Sequence, residues 1–371
     1  MRIAIVTESF LPQINGVSNT VRHVTEQLTA AGHQALVIAP GRGSTSHAGA
    51  PVLRVRSVPL PGYRQFPVGL PDRAVAEGLA AFRPDVVHLA SPAVLGAAGL
   101  RAARRLGIPT IAVFQTDLAG FARQYHLRAD AMLWGWIKRL HSRADRTLAP
   151  SSATSERLRA GGVSRVHTWR RGVNLDLFDP GRRDDTFRRR VAPGDEVIVG
   201  YVGRLAAEKS VRRLAELADI PGTRLVVIGD GPERQALQRM LPAATFTGML
   251  RGESLAAAFA SLDVFVHTGR HETFCQTVQE AQASGVATVA PAAGGPLDLI
   301  EHGRTGLLYQ PDEVPDLARA VTLAARDGTL RAKLADAGRL RVQEHTWPRV
   351  VGELVARHYA AVLPRPLDLA A

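Results

Sequence analysis

The strongest constraint on this chain is a repeated alternation of short apolar runs with segments of helical length. In the first half the runs of branched apolar residues are Ile3–Val6, Ala35–Ala39, Val52–Arg56, Val86–Ala90 and Ile111–Phe114. This spacing is typical of βαβ units and therefore of a parallel sheet. The alternation restarts later with Val197–Val202, Arg224–Ile228, Thr245–Thr247, Val264–His267 and Val286–Ala290. We therefore predict two α/β domains, each a doubly wound sheet.

Two domains also agree with the length of 371 residues, which exceeds what one hydrophobic core usually supports. We place the first domain at residues 1–171 and the second at 172–346. The Pro-, Gly- and charge-rich stretch 179–195 is predicted to be an exposed segment early in the second domain. Residues 347–371 contain a predicted helix that packs back on the first domain. Its apolar positions are Val350, Val351, Leu354, Val355, Tyr359 and Val362.

Composition excludes several classes of protein. No run approaches the roughly 18 apolar residues of a membrane-spanning helix, and the single cysteine, Cys275, excludes an internal disulfide. We expect a cytoplasmic protein. The net charge of +12 favours anionic partners, although a compositional bias of the source would have the same effect. Aromatic residues are only 5% and the arginines are scattered, so nucleic acid is not the expected partner.

A glycine near the start of the first predicted helix marks one candidate binding position. Asn15 and Gly16 precede a helix that begins near residues 17–19. Without a Cβ, Gly16 would let a phosphate or a sugar approach the free N–H groups of that helix. The alternative is an ordinary strand-to-helix turn, because Asn-Gly is a common turn pair. The sequence is not the G-x-G-x-x-G of a dinucleotide fold.

Two motifs of the second half carry charges that suit a diphosphate and a sugar. Arg204 and Lys209 follow a buried strand and precede a predicted helix, where two cations can bind a diphosphate; the alternative is a solvated pair with Glu208. Glu272 and Glu280 stand eight positions apart. A helix starting near residues 273–275 would leave Glu272 before its N-terminus, facing sugar hydroxyls, and Glu280 inside it, facing a ribose diol. The alternative role of Glu272 is an N-terminal helix cap, and that of Glu280 is a solvated or ion-paired helix residue.

Together these motifs resemble the retaining glycosyltransferases of family 4, which have the GT-B fold. The signature is Glu, seven residues and a second Glu, here Glu272-TFCQTVQ-Glu280, followed by a small-residue helix, a Gly and a strand. The blocks FLPQINGVS at 10–18, GRLAAEK at 203–209 and IGDGPER at 228–234 agree in order and spacing. The runs ESFLPQINGVSNTV, DVVHLASPAVLG, FQTDLAGFA and HETFCQTVQEA are similar to those of actinobacterial GDP-mannose-dependent α-mannosyltransferases.

The resemblance implies two Rossmann-like domains facing a cleft, the first for the acceptor and the second for the nucleotide sugar. It implies transfer of a hexose, α-mannose from GDP-mannose, to a lipid-linked or glycolipid acceptor with retention of configuration. Arg204 and Lys209 would stabilise the departing diphosphate, so neither a metal nor a cofactor is expected. Glu272, Arg204, Lys209 and Asp117 are the predicted catalytic residues. The donor-binding residues are Gly16, Met249, Leu250, Arg251, Phe274, Cys275, Gln276, Thr277 and Glu280.

Two departures from the family pattern affect this assignment. Many members read E-G-F-G where this chain has Glu272-Thr-Phe-Cys275, so side chains replace two glycines beside the donor. Many members also place a His after the fifth strand, where this chain has Phe-Gln115-Thr-Asp117. We therefore predict Gln115 and Asp117 as acceptor-facing residues; Asp117 as a cap of the following helix is the alternative.

The segment Arg123–Arg146 carries Met132, Leu133, Trp136, Ile137 and Leu140 at helical spacing among basic residues. One interpretation is a helix that lies on an anionic membrane, at the inner face of the plasma membrane, and meets a lipid acceptor. The other is a helix packed on the sheet with its bases in water.

Three other functions remain open. One is a natural-product tailoring transferase that uses a GDP- or UDP-sugar. Another is a non-hydrolysing sugar-nucleotide epimerase, which has the same two-domain fold, and the third is a non-catalytic nucleotide-sugar binding subunit.

Overall fold

A computed structural model of the chain describes residues 1–13, 15–60, 63–117 and 130–364. The chain divides into two compact units. The first contains Met1–Arg171 and the chain from Trp347 onward, and the second contains Gly172–Thr346.

The first unit is built on an eight-stranded sheet with the strand order β10-β9-β8-β7-β1-β2-β4-β3. Its strands are β1 Arg2–Thr7, β2 Gln34–Pro40, β3 Ser46–His47, β4 Ala50–Val55, β7 Val86–Ala90, β8 Thr110–Val113, β9 Arg146–Ala149 and β10 Val166–Thr168. All pairs are parallel except β3 with β4. A separate antiparallel pair consists of β5 Ser57–Leu60 and β6 Tyr63–Gly69. The order reverses between β1 and β7, which is where a doubly wound sheet opens a ligand crevice.

The described helices of this unit are α1 Gly16–Ala30, α2 Arg73–Phe82, α3 Leu95–Arg105, α4 Asp130–Arg143 and α5 Ser152–Ala160. α4 lies in the segment predicted as an amphipathic helix, whose residues 123–129 fall outside the described part. Its apolar residues do not share one environment, which corrects that prediction. Ile137 and Leu140 are buried, whereas Met132 is 72% and Trp136 41% exposed.

The second unit has a six-stranded, fully parallel sheet with the order β13-β12-β11-β14-β15-β16. Its strands are β11 Val197–Val202, β12 Thr223–Ile228, β13 Thr245–Gly248, β14 Val264–Val266, β15 Ala287–Pro291 and β16 Leu307–Tyr309. Its helices are α6 Asp185–Val191, α7 Arg234–Met240, α8 Gly252–Ala260, α9 Gln276–Ala283, α10 Pro296–Leu299, α11 Val314–Arg326 and α12 Gly328–Val342. The prediction of two doubly wound α/β sheets is confirmed.

Two local predictions for this unit are wrong. The stretch 179–195 is not simply exposed, because it contains α6, whose Phe187 and Val191 are buried in the core. Asp184 caps this helix by accepting hydrogen bonds from the N–H groups of Thr186 and Phe187. The helix expected after Lys209 is instead a pair of 3₁₀ segments, Ala207–Lys209 and Val211–Leu217.

The chain end returns to the first unit, as predicted. α13, Trp347–Glu353, continues as a π-helical turn, Leu354–Tyr359, and packs on α1. The Trp347 ring stacks on His23 at 4.6 Å between centroids, and the Tyr359 hydroxyl lies 2.8 Å from His88 Nδ1. Within the described part of the chain, we find no helix with the length and apolar character needed to span a membrane.

Candidate functional site

Several predicted donor residues of the second unit follow the two strands at which the strand order reverses. β11 and β14 are hydrogen-bonded neighbours, yet the chain proceeds from β11 to one side of the sheet and from β14 to the other. Arg204 and Lys209 follow β11, while His267 and Glu272 follow β14. Because parallel strands end at the same edge, this topology brings the two loops together. Ligands of doubly wound sheets bind at such a switch point.

The central contact is an ion pair between the two loops. Lys209 Nζ donates to Glu272 Oε1 at 2.5 Å, with side chains 30% and 15% exposed. The Thr268 hydroxyl donates to the Lys209 carbonyl at 2.7 Å and holds the same loops together. Burial would lower the pKa of Lys209 and raise that of Glu272. Their mutual attraction outweighs burial, so the pKa of Lys209 is raised and that of Glu272 is far below its usual range.

A histidine that sequence reasoning did not single out completes this cluster. His267 is 3% exposed, its Nε2 lies 3.1 Å from Glu272 Oε1, and its ring is parallel to that of Tyr201. Burial lowers the pKa of His267, but Cys275 and Glu272 raise it to about 10. Glu272 is therefore held between two cations. The sequence feature that could have identified His267 is its position directly after the predicted strand that becomes β14.

The backbone that carries Glu272 is supported by two glycines after β15. The Gly295 N–H donates to the Glu272 carbonyl at 2.9 Å. A Cβ on Gly295 would lie 2.1 Å from the Phe274 carbonyl oxygen, and one on Gly294 would lie 2.5 Å from that of Glu272. Only glycine fits this close backbone approach. Their supporting role depends on backbone contacts between distant segments, which the sequence does not show.

The loop after Glu272 leads into α9, which starts at Gln276, one residue later than the predicted range. Cys275 occupies the N-cap position with a left-handed φ of 79°, and its Sγ lies 3.6 Å from the Thr277 hydroxyl. Phe274 is buried, so its main chain rather than its ring is available at this helix start. Gln276 Nε2 donates to the Gly172 carbonyl at 2.9 Å.

Within the described residues, one group has the ligand types of a metal site. His267, Glu272 and Cys275 place one ligand atom each within 4.8 Å of one another. Lys209 already binds Glu272 Oε1, so positive charge is supplied to this carboxylate by the protein itself. The prediction that no metal is required stays a prediction.

Glu280 lies inside α9, and its pKa is shifted in the opposite direction from that of Glu272. In the described part of the chain, no hydrogen bond or ion pair reaches its carboxylate, and burial raises its pKa to about 8. A half-buried carboxylate without donors is ready to accept hydrogen bonds from a ligand with paired hydroxyls.

Arg204 pairs with a different carboxylate from Lys209, and three further predicted donor residues follow β13. Arg204 is 40% exposed and pairs with Glu208 at 3.2 Å. The alternative prediction, a pair with Glu208, therefore holds for Arg204, whereas Lys209 pairs with Glu272. Met249 is 57% exposed and Leu250 packs against the core. Arg251 Nη2 lies 3.2 Å from the Met249 sulfur. These three follow the edge strand of the sheet.

In the first unit, Gly16 is the first residue of α1, next to an arginine that sequence reasoning missed. Asn15 caps the helix through the N–H groups of Val17 and Ser18, so the ordinary capped turn is present. A Cβ on Gly16 would lie 3.3 Å from Nη1 of Arg171, which is 8% exposed. A helix N-terminus and a guanidinium thus converge here, which is a favourable environment for an anion.

Gln115 and Asp117 follow β8 at the carboxyl edge of the same sheet. Gln115 is buried. The Asp117 carboxylate accepts hydrogen bonds from both terminal nitrogens of Arg157, one of them at 2.9 Å, and Arg157 lies over the Trp134 ring. Whether Asp117 also caps a following helix concerns residues 118–129, which lie outside the described part.

Comparison with known proteins identifies the family to which this chain belongs. The model described as Glycosyltransferase Family 4 matches residues 14–177, and the model described as Glycosyl transferases group 1 matches residues 182–341. A GDP-mannose-dependent alpha-mannosyltransferase of Mycolicibacterium smegmatis is 52% identical over 98% of both chains. One of Mycobacterium tuberculosis is 51% identical over 100% of this chain and 99% of the relative. The crystal structure of Anabaena HepE in complex with UDP covers 97% of this chain and 100% of that protein, with a TM-score of 0.79 at 19% identity.

Proposed function

The chain belongs to glycosyltransferase family 4 and is a GT-B-type glycosyltransferase, and from this premise we propose that it transfers α-mannose from GDP-mannose to a lipid-linked or glycolipid acceptor. The Lys209–Glu272 pair at the switch point carries the proposal. It places a cation for a diphosphate beside a carboxylate for sugar hydroxyls. Full-length similarity to two proteins named for GDP-mannose supports the choice of donor.

Each donor residue then has a separate role. Lys209 and Arg204 bind the diphosphate, and Glu272 with the main chain of residues 274–277 binds the mannose. The Glu280 carboxylate accepts hydrogen bonds from both hydroxyls of the ribose. Met249, Leu250 and Arg251 flank the base.

The proposed reaction leaves the anomeric configuration unchanged. The bond from the anomeric carbon to the diphosphate oxygen breaks, and the acceptor hydroxyl forms its new bond on the same face. The departing diphosphate oxygen takes the hydroxyl proton. Lys209 and Arg204 neutralise the charge that grows on the diphosphate, which is the kind of stabilisation that contributes most in such sites. We propose that no metal participates, and EDTA should therefore leave the rate unchanged.

The acceptor side of the proposal concerns the first unit. Gln115 and Asp117 lie at the carboxyl edge of its sheet, where an acceptor hydroxyl would be oriented, and Arg157 fixes the Asp117 carboxylate. A lipid acceptor implies peripheral contact with a membrane, consistent with the net charge of +12.

The test is a donor panel. The purified protein is incubated with GDP-mannose, GDP-glucose and UDP-glucose, and release of GDP or UDP is measured without acceptor and with a membrane lipid extract. We expect slow hydrolysis of GDP-mannose alone and faster release with lipid, together with a mannosylated lipid product. Consumption of UDP-glucose with GDP-mannose ignored would overturn the mannosyl assignment.

The same assay separates the alternatives. An epimerase converts the nucleotide sugar into its epimer without any acceptor. A binding subunit binds the donor tightly without turnover on any acceptor. A tailoring enzyme mannosylates small molecules but not the lipid extract.

A further inference from the structure

The residues around Glu272 include three different kinds of metal ligand. His267, Glu272 and Cys275 contribute an imidazole nitrogen, a carboxylate oxygen and a thiol sulfur, and these atoms lie within 4.8 Å of one another. The ligand atoms of a tetrahedral zinc site are about 3.5 Å apart, so side-chain shifts of about 1 Å would bring all three onto one ion. We call these three residues the thiol cluster.

The sulfur distinguishes the thiol cluster from the usual donor site of the family. Many members have glycine at the position of Cys275, whereas this chain places its single cysteine there. Cys275 is 4% exposed and occupies the N-cap of α9. A set of sulfur, nitrogen and oxygen ligands favours Zn²⁺ over Mg²⁺ and Ca²⁺, which prefer oxygen alone.

His267 is the residue that points to a ligand. Neither of its buried ring nitrogens has a hydrogen-bond partner of good geometry in the described part of the chain, although Nε2 lies 3.1 Å from Glu272 Oε1. Buried polar atoms in this state usually have a water, an ion or a functional role. The ring is parallel to that of Tyr201, and the Tyr309 hydroxyl donates to the His267 carbonyl at 3.3 Å, so the residue is held in place.

The charges in the thiol cluster suit a dication. Burial lowers the pKa of His267, but Cys275 and Glu272 raise it to about 10. The negative charge that holds a proton on this imidazole would also attract a metal ion. The ion would displace that proton and bind the sulfur as a thiolate, and the displaced protons would go to solvent.

We propose that the thiol cluster binds Zn²⁺ and that the bound ion inhibits the enzyme. The ion would occupy the Glu272 carboxylate that is proposed to accept hydrogen bonds from the sugar. It would also bring two positive charges close to Lys209 Nζ, which lies 2.5 Å from Glu272 Oε1, and like charges repel. Zinc and the Lys209–Glu272 pair therefore compete for one carboxylate.

The inhibitory effect rests on the proposed function, whereas binding of the ion does not. Zinc has no part in the transfer step, so the metal-free enzyme should still be indifferent to EDTA. The two statements are therefore tested separately, first by metal binding and then by turnover.

The binding experiment uses Co²⁺, which replaces Zn²⁺ in such sites and whose thiolate complexes absorb in the near ultraviolet. The metal-free full chain is titrated with Co²⁺, and Zn²⁺ is then added. We expect a cobalt–thiolate band that saturates at one ion per chain and that Zn²⁺ removes. Because the chain has one cysteine, this band reports on Cys275 alone. Absence of the band in the parent protein would overturn the site.

Two variants locate the ion, with Zn²⁺ affinity measured by competition with a chromophoric chelator. Cys275→Ala should bind Zn²⁺ more than about 100-fold more weakly, because losing a ligand costs more than losing an outer-shell partner. His47→Ala is the matched control. It disrupts another cluster, in which His23 and His47 lie 3.1 and 3.2 Å from Glu26 without a thiol, and it should bind Zn²⁺ as the parent does. The opposite pattern would place the ion in the first unit and refute the proposal.

The inhibition experiment measures hydrolysis of GDP-mannose. Zn²⁺ should raise the apparent KM of the parent, Mg²⁺ at the same concentration should not, and EDTA should restore the rate. Each protein is compared with its own metal-free rate. Zn²⁺ also binds nucleotide phosphates in solution, and Cys275→Ala at the same Zn²⁺ concentration measures that contribution. Equal inhibition of this variant and the parent would overturn the inhibitory role.

Lys209→Ala tests the competition directly. The variant removes the ammonium group from Glu272, so Co²⁺ should bind about tenfold more tightly even though turnover falls. Unchanged or weaker Co²⁺ binding would refute competition between the ion and Lys209. If GDP-mannose proves not to be the donor while the cobalt–thiolate band appears, the proposed function fails and the metal site stands.

Discussion

Lys209 and Glu272 are 63 positions apart in the chain, yet they form a 2.5 Å ion pair at the point where the strand order of the second unit reverses. Each side chain sets the charge state of the other, since burial alone would favour the neutral form of both. The pair is therefore maintained before any ligand arrives. A bound donor diphosphate would accept a hydrogen bond from Lys209 while Lys209 still contacts Glu272. Both side chains would then lie beside the sugar.

Removing either partner should abolish most of the activity. We expect Lys209→Ala and Glu272→Gln each to lower kcat on the order of 10²–10³-fold, because each loses a charge aimed at the reacting groups. The double variant should lose far less than the product of the two, since the residues act as a unit. Steady-state GDP release measures this. Lys333→Ala, an exposed lysine of α12, is the matched control, and near-normal rates for both single variants would refute the site.

Glu280 should make donor binding depend on pH. Its pKa of about 8 in the free protein means that a ribose diol, which donates to the ionised carboxylate, must compete with a proton. Affinity for GDP-mannose should rise from pH 6 and level off above pH 8, with binding about tenfold weaker at pH 7 than on the plateau. Calorimetric titration at several pH values measures this. Glu280→Gln should give a weaker and flat profile; a parent profile that is already flat contradicts the ribose role.

The same residue should cost the protein stability at neutral pH. The folded pKa of Glu280 lies above its ordinary value, so the unfolded chain loses the proton first as pH rises. The neutral carboxyl therefore contributes its full stabilisation of the folded state at pH values below the ordinary pKa of Glu. That contribution is lost as pH rises toward 8. Glu280→Gln should therefore raise Tm at pH 8 more than at pH 4.5. An equal shift at both pH values would argue against burial of an ionisable carboxyl.

The effect of Cys275 on stability should come from its backbone conformation rather than from its thiol. Its φ of 79° is one that side chains with a Cβ rarely adopt. Cys275→Gly and Cys275→Ala both remove the thiol, but only the alanine keeps the left-handed penalty. We expect the glycine variant to be more stable than the alanine variant by about 1 kcal/mol in urea unfolding. The reverse order would mean that chain entropy dominates at this position.

Gly295 should control the position of the Glu272 loop. A Cβ there would meet the Phe274 carbonyl at 2.1 Å, so Gly295→Ala must move the backbone that carries Glu272. We expect a loss of turnover on the order of 10²-fold, because small displacements of catalytic groups are costly. Gly352→Ala is the control, since a Cβ there meets nothing within 4 Å. Unaltered turnover in Gly295→Ala would show that the loop tolerates displacement.

The alternation of apolar runs was sufficient to predict the sheets. The run Val86–Ala90 coincides with β7, and Val197–Val202 coincides with β11. Local patterns failed where tertiary burial decided the outcome. Phe187 and Val191 are core residues in a stretch whose charge predicted exposure, because two apolar side chains are enough to bury one face of a short helix. In α4 the periodicity could not say which apolar residues would face the sheet.

The sequence by itself determined the fold class, the family signature and the identity of the charged residues near the donor. Only the tertiary structure decided that Lys209 pairs with Glu272 while Arg204 pairs with Glu208, and that His267 lies beside the Glu272 carboxylate. It also decided that Glu280 is buried enough for its pKa to be raised to about 8. The reason is physical. Backbone preference and apolar periodicity act between near neighbours, whereas the partner and protonation state of a charge depend on strand order and burial, which bring distant segments together.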